Sequence, residues 1–235
     1  MSEIPVHPRP RRLSDWINPM AAKKVHSLID KVYQRKNLEV AWERVRANRG
    51  SGGVDGISVA DFAEQADQQL DRLQAELRAR TYQPQPVRQV SIPKAGKPGE
   101  FRKLGIPSIY DRVCQQALLN RLEPIFEPIF DDANFGYRRG RSTHGALRKI
   151  WKEIEGGGEW IVDADLKDFF DRVNHDILIA RLQKRLGDAG VIRLIRAYLN
   201  SGIMDGGVVQ QRHQGTPQGG PLTPWTQKIT LSLSG

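Results

Sequence analysis

Four aspartates in the segment DADLKDFFD, residues 163–171, make it the first candidate for chemistry. Asp165 lies at the end of a predicted strand, where its carboxylate can reach a hard, oxygen-preferring cation such as magnesium. Asp163 points the same way two residues earlier, while Asp168 and Asp171 fall in the following turn. The alternative is that these acids cap the next helix and stay in solvent. Spacing alone does not choose between a metal site and a capped helix.

Cations gather on a predicted β-hairpin, in which VRQVSIP and FRKLGIP are the strands and KAGKPGE is the turn. The cations are Lys94, Lys97, Arg102 and Lys103. A mobile hairpin that carries such charges can close over a triphosphate opposite a metal held by carboxylates. The alternative is a solvated basic face without a ligand.

An aromatic residue is interleaved with guanidiniums in FGYRRGRSTHGAL. The candidates for nucleic-acid binding are Tyr137, Arg138, Arg139 and Arg141. This combination suits a phosphate backbone or a single-stranded base. An exposed loop followed by a helix with Ser142 at its N-cap explains the same residues equally well.

Helices and strands alternate irregularly around these segments, so the predicted fold class is mixed, α/β or α+β. Helical spacing of apolar residues predicts helices over 58–77, about 110–122, from Ser142, and near 175–186 and 189–200. Ser58 and Asp61 form a plausible capping box.

Two further segments have a strand-like pattern. In EWIVDADL, Ile161, Asp163 and Asp165 alternate with Trp160, Val162 and Ala164, which predicts a strand with the two aspartates on one face. In WTQKITLSLSG the apolar residues alternate with Thr and Ser, which also predicts a strand.

The amino-acid composition indicates which class of binding partner the chain has. Thirty-six Lys and Arg against 27 Asp and Glu give the 235-residue chain a net charge of +9, which favours a polyanion and, without a basic amphipathic helix, a nucleic acid. The single cysteine, Cys114, excludes an internal disulfide and is expected to be a buried structural thiol. No apolar run predicts a membrane span or a signal peptide, so we expect a cytoplasmic protein.

Five segments together resemble consecutive conserved blocks of the reverse transcriptases encoded by bacterial group II introns. In chain order they are NRGSGGVDGIS, FRKLGIPSIYDRVCQQALLNRLEPIFEPIF, FGYRRGRSTHGAL, WIVDADLKDFFDRVNH and QGTPQGGPLTP. Each block is a loose pattern by itself, but five in the right order are specific.

The resemblance implies a right-hand polymerase that copies RNA into DNA, together with a maturase role on intron RNA. It divides the chain into a flexible basic arm (1–18), a helical N-terminal extension (19–57), a fingers region (58–158) and an incomplete palm (159–235). The implied partners are intron RNA, an RNA template with a DNA primer, and deoxynucleoside triphosphates, with no membrane. The oligomeric state stays open.

The resemblance also assigns roles to single residues. Asp165 and the backbone carbonyl of Leu166 correspond to ligands of the two expected magnesium ions. Phe170 corresponds to the aromatic steric gate against a ribose 2′-hydroxyl, although a core Phe beside Phe169 is the other interpretation. Gln218 corresponds to the glutamine that packs on the incoming nucleotide. Lys94 and Arg102 correspond to residues that hold the triphosphate.

The sequence departs from the family after Pro224. No tyrosine is followed by the x-Asp-Asp that would supply the other catalytic carboxylates, so we expect a truncated form with little or no polymerase activity by itself. Uncovered apolar surfaces are also expected, with poor solubility. The alternative hypotheses are a non-catalytic RNA-binding fragment and a decayed reading frame.

Overall fold

The computed structural model describes residues 24–166 and 168–232 as a helical assembly around one small sheet. The helices are α1 (Ile29–Val32), α2 (Arg35–Ala47), α3 (Val59–Glu64), α4 (Ala66–Ala79), α5 (Ile109–Phe126), α6 (Thr143–Glu155), α7 (Phe169–Arg172), α8 (His175–Gln183), α9 (Ala189–Leu199) and α10 (Leu222–Ser232). The strands are β1 (Val87–Pro93), β2 (Phe101–Ile106), β3 (Ile203–Asp205) and β4 (Val208–Gln210). The expected mixed class is confirmed.

Helix α5 is the centre of the core. It is buried almost all round, including polar side chains such as Asp111 and Gln115, and its buried residues face α2, α4 and α10. A helix with this pattern must be covered on every side. Trp42 and Phe62 pack on each other at 4.7 Å between ring centroids, and Phe126 meets Trp225 edge to face at 5.2 Å. One core cluster therefore joins residues from Leu28 to Ile229.

The sheet has the strand order β2-β1-β3-β4. β1 and β2 form the predicted basic hairpin, with Arg88 opposite Ile106 and Pro93 opposite Phe101. β3 pairs parallel to β1 and antiparallel to β4. β2 is therefore an edge strand of the sheet.

Several predicted caps are confirmed. Ser58 and Asp61 form a reciprocal capping box at the start of α3, and Ser142 caps α6 by accepting from the Gly145 N–H at 3.2 Å. The glycines after Glu155 end α6. The predicted helix over 58–77 is interrupted at Gln65 and forms α3 and α4, with Phe62, Leu70, Leu73 and Leu77 buried.

The predicted strand at 159–166 is wrong. These residues are not paired with any described strand, and the side chains of Trp160, Ile161 and Val162 are 93%, 76% and 91% exposed. Apolar residues on both faces need a cover on both faces before a strand is stable. Among the described residues, no neighbouring element buries these side chains or forms strand hydrogen bonds with this segment.

The predicted strand after Pro224 is also wrong, because residues 225–232 are part of helix α10, while 233–235 lie outside the described residues. Trp225 and Ile229, one turn apart, are 1% and 0% exposed, and the Thr226 hydroxyl donates to the Thr223 carbonyl of the preceding turn at 2.9 Å. Core burial of this stripe outweighs the β-propensity of its threonines.

Cys114 is fully buried, as predicted, and burial raises the pKa of its thiol to about 12. The predicted basic arm, 1–18, and the first residues of the predicted helical extension, 19–23, lie outside the described residues. Within the part of the chain that is described, no helix combines the length and apolar content needed to cross a membrane.

Candidate nucleotide and nucleic-acid site

The turn around Gln218 is fixed to the edge of the basic hairpin. The Gly105 N–H of β2 donates to the Gln218 carbonyl at 2.6 Å. Gly219 has φ +130°, and a Cβ there would lie 2.6 Å from the Gly105 carbonyl oxygen. Only glycine allows this close approach. The turn thereby covers the open edge of the sheet and leaves the Gln218 side chain half-buried.

The same turn is fixed on its other side to the segment that carries Phe170. The Thr216 N–H donates to the Phe170 carbonyl, and the Gly215 N–H donates to the Val173 carbonyl, both at 2.7 Å. Gly215 has φ +83°, and a Cβ would lie 2.8 Å from the Phe170 carbonyl oxygen. The hairpin, the turn and the Phe170 segment are thus one connected unit.

His175 holds this unit together, and the sequence did not single it out. Its Nε2 lies 2.7 Å from the Gly215 carbonyl oxygen and its Nδ1 lies 3.1 Å from Oδ1 of Asn200 at the end of α9. The ring is only 5% exposed. The only signal in the sequence is its position at the first residue of α8, directly after the candidate segment.

The two predicted triphosphate ligands differ in their surroundings. Lys94 is ion-paired with Glu100 across the hairpin turn at 2.8 Å. Arg102 is exposed and has no ion-pair partner among the described residues. It shares a strand face with Leu104, whose Cδ1 would lie 3.1 Å from a Cβ on Gly219. Arg102 therefore lies on the face of β2 that meets Gly219, whereas Pro217 of the same turn lies against the opposite face, where a Cβ on Gly105 would be 3.0 Å from the Pro217 Cβ.

Phe170 is half-buried on α7, with its ring at 81° to that of Phe169 and 5.6 Å away between centroids. Its backbone carbonyl accepts from the turn, at Thr216. Asp168 begins α7 with φ +54° and is ion-paired with Arg172 at 3.7 Å. Asp171 is ion-paired with Arg212 at 3.3 Å.

Asp163, Asp165 and Leu166 are exposed on the unpaired segment before α7. Residues 24–166 and 168–232 contain no group of three or more His, Cys, Asp or Glu side chains that could hold a metal ion. The predicted common strand face of Asp163 and Asp165 is absent, because their strand does not form.

Two of the three predicted RNA-binding arginines hold their own loop together. Arg138 has a side chain that is 5% exposed and donates to Glu127 Oε1 and to the Asp131 carbonyl, both at 2.7 Å. Arg141 donates to Asp132 Oδ1 at 2.7 Å. These contacts engage both guanidiniums within the protein.

Tyr137 and Arg139 instead face solvent. Tyr137 is 73% exposed and has φ +51°, an unfavourable value for a residue with a side chain. Its carbonyl accepts from the buried ammonium of Lys228 on α10 at 2.9 Å. Burial lowers the pKa of Lys228, against the opposing effect of Glu127 and Glu123. The last described helix thus fixes the loop that displays the Tyr137 ring.

Comparison with known proteins identifies the family of the chain. The family model "Reverse transcriptase (RNA-dependent DNA polymerase)" matches residues 92–232. The chain is 32% identical to Protein YkfC of Escherichia coli over 228 residues, 94% of this chain and 59% of YkfC. It is 34% identical to the group II intron-encoded protein LtrA of Lactococcus lactis over 194 residues, 82% of this chain and 32% of LtrA.

A solved structure of a partial Cas6-RT-Cas1–Cas2 complex superposes with a TM-score of 0.60 at 26% identity, covering 87% of this chain and 34% of that chain. The chain thus spans between about a third and three fifths of the length of these relatives. The expected resemblance is confirmed: the chain belongs to the reverse transcriptase family, with group II intron-encoded proteins among its relatives.

Proposed function

We propose that the chain forms the nucleotide-binding and RNA-binding part of an RNA-directed DNA polymerase of the group II intron type, with a maturase role on intron RNA. The observation that carries the proposal is the double attachment of the Gln218 turn, to β2 through Gly105 and to Phe170 through Thr216. This attachment links a cation-bearing strand, an amide side chain and an aromatic ring through one turn.

Each residue has a distinct role in this proposal. Arg102 binds the triphosphate, because its guanidinium is exposed, lacks an ion pair among the described residues and lies on the face of β2 that meets Gly219. Lys94 assists after releasing Glu100. Gln218 packs on the nucleotide, and Phe170 excludes a 2′-hydroxyl at the sugar.

Divalent metal ions are general to this family, but the described residues do not form a metal centre. The Asp165 carboxylate and the Leu166 carbonyl are the proposed ligands, and they lie on an exposed segment where the described residues form no group of three or more acidic, His or Cys side chains that could hold a cation. Two cations of charge +2 need more carboxylates than this. The role proposed for the described part of the chain is therefore the binding of nucleotide and RNA.

A crosslinking experiment tests the nucleotide site. Labelled dTTP is crosslinked by ultraviolet light to the full chain with RNA template, DNA primer and magnesium. Arg102→Ala should reduce crosslinking about tenfold, the loss expected for one charge-assisted contact, while Lys103→Ala, a cation on the opposite face of β2, should leave it close to wild type. Equal effects of the two variants would refute the assignment of Arg102.

Competition by UTP tests the gate in the same assay. Phe170→Val should let UTP displace dTTP more readily, because the clash with the 2′-hydroxyl is removed. Unchanged discrimination between dTTP and UTP would assign Phe170 to the core alone.

A non-catalytic RNA-binding module is the second candidate, favoured by the absence of a metal-holding cluster in the described part of the chain. Primer extension on an RNA template separates the two. We expect no extension above background by the chain alone. Extension that is abolished by Asp165→Ala would establish catalysis, and extension unaffected by that change would remove Asp165 from the mechanism.

A further inference from the structure

Two arginines from distant parts of the chain are held on neighbouring positions of α5. Arg44 of α2 donates to Asn120 Oδ1. Arg139 of the 137–141 loop approaches Glu123 with 3.8 Å between Nε and Oε2. Asn120 and Glu123 are three residues apart on one helix, so their side chains are neighbours, with Cβ atoms about 5–6 Å apart. The two guanidiniums are therefore adjacent.

The position of Arg44 is rigid. Asn120 is itself fixed by Gln116, which donates to its Oδ1 at 3.0 Å, and by Asn37, whose Oδ1 accepts from its Nδ2 at 3.2 Å. Asn37 is anchored in turn to the carbonyls of Val32 and Ala117. A chain of amides thus presents the guanidinium of Arg44 at a defined place.

The positive charge of Arg44 and Arg139, where α2 meets the 137–141 loop, is not balanced by the described residues. The single carboxylate between the two cations is Glu123, whose contact with Arg139 is longer than a hydrogen bond. Burial and then the positive charge of Arg139 lower the pKa of Arg44, against the opposing effect of Glu123. Two guanidiniums this close are stabilised by an additional anion.

The other two arginines of the 137–141 loop are less exposed than Arg139. The side chain of Arg139 is 71% exposed, against 5% for Arg138 and 25% for Arg141, both of which donate to groups of their own loop. Arg139 is thus the arginine of the loop that is free to bind a ligand, and the exposed ring of Tyr137 lies two residues before it.

We propose that Arg44 and Arg139 together bind one phosphodiester of an RNA strand at the seam between α2 and the 137–141 loop. Guanidiniums match the geometry of phosphate oxygens, and the phosphate would supply the missing negative charge. The net charge of +9 and the adjacent aromatic ring favour a nucleic acid over a small anion. This inference rests on the proposed RNA-binding function.

The test is the salt dependence of RNA binding by the full chain, measured by anisotropy of a short fluorescein-labelled single-stranded RNA. Arg44→Gln and Arg139→Gln should each weaken binding and reduce the slope of log K against log salt by about 0.7, the share of one phosphate contact. The double variant should lose no more than either single one, because both side chains hold the same phosphate. Arg46→Gln, an exposed arginine of α2 paired with Glu43, is the matched control.

A second variant acts in the opposite direction and cannot be mistaken for a folding defect. Glu123→Gln removes the competing carboxylate and should tighten RNA binding, more than Glu43→Gln, which makes the same change in net charge elsewhere. If Glu123→Gln matched Glu43→Gln and the arginine variants matched Arg46→Gln while the wild-type chain still bound RNA, the phosphate site alone would be refuted. Binding by the wild-type chain that did not depend on salt would overturn both the site and the RNA-binding function.

Discussion

At the scale of single residues, the buried carboxylate of Asp111 is the clearest case of a polar group placed by the fold. It is 1% exposed and accepts from the Tyr82 hydroxyl at 2.5 Å and the Gln85 N–H at 3.1 Å. Tyr82 also shares a hydrogen bond with Tyr198 of α9 at 2.6 Å. Burial raises the pKa of Asp111 to about 6 although these hydrogen bonds lower it.

This pKa predicts a pH-dependent stability. The pKa of Asp111 is about 6 in the folded state, against about 3.9 for an aspartate in the unfolded chain. An acid whose pKa is raised by folding stabilises the fold fully at low pH, and this contribution is lost as the pH rises through 6. Asp111→Asn is uncharged at every pH, so wild type should lose about 1.4 kcal/mol more than the variant between pH 5 and pH 7.5. Urea unfolding at both pH values measures it. A pH dependence identical in the two proteins would contradict it.

Helix caps could be predicted from the sequence more reliably than ligand-binding roles. Ser58, Asp61 and Ser142 act as the predicted caps because capping depends on local spacing. Arg138 was a candidate for RNA binding, yet it lies under its own loop, where it meets Glu127. Arg44 and His175 were not singled out, because their significance depends on contacts with residues far along the chain.

At the scale of elements, Asp188 connects the start of α1 to the start of α9. Its two oxygens accept from Leu28 and Ile29 at 2.5 and 2.8 Å, and from Gly190 and Val191 of α9 at 2.8 and 3.1 Å. One carboxylate thus caps α9 and fixes α1 to it. Burial raises the pKa of this carboxyl, but the four N–H donors lower it below its usual value.

Asp188→Ala should therefore destabilise the fold by about 2–4 kcal/mol, since buried N–H donors of two helices lose their acceptor. The free energy of unfolding of Asp188→Asn, which keeps one side-chain oxygen, should lie between those of the wild type and Asp188→Ala. The contribution of the wild-type carboxylate is present above its unfolded pKa and lost as the pH falls through the lower folded pKa. Urea unfolding and amide exchange at Leu28 and Ile29 measure the effect. Ser142→Ala, a single exposed cap on α6, is the control, and an equal loss from the two alanine variants would rule out the tie between α1 and α9.

The two wrong element predictions share a cause. In both segments apolar residues alternate with polar ones, but the secondary structure that forms depends on which elements lie beside the segment. Around α10, the core offers Phe126 as a neighbour for Trp225, and a helix places Trp225 and Ile229 on one buried stripe. Around 159–166 no described element lies alongside, so a segment with strand-like sequence remains unpaired.

At the scale of the whole molecule, the charge and the apolar surface act in opposite directions. Helix α6 is strongly amphipathic, yet its apolar stripe has no cover among the described residues. The stripe consists of Leu147, Ile150, Trp151 and Ile154, which are 56%, 51%, 63% and 46% exposed. Together with Trp160 and Val162 this is far more exposed apolar side chain than scattered surface residues explain. The net charge of +9 keeps copies apart at low ionic strength.

These opposing effects predict self-association that increases with salt. Screening shortens the range of the charge repulsion, while the apolar attraction persists or strengthens. Sedimentation velocity of the full chain should therefore show a weight-average mass that rises with sodium chloride and with protein concentration. The double variant Trp151→Gln, Ile154→Gln should stay monomeric under the same conditions and bind less of the dye ANS. Because neither side chain is buried, the free energy of unfolding should change little. Val208→Thr, an exposed apolar residue of β4, is the control, and association that persisted in the double variant as in this control would assign the attraction to another surface.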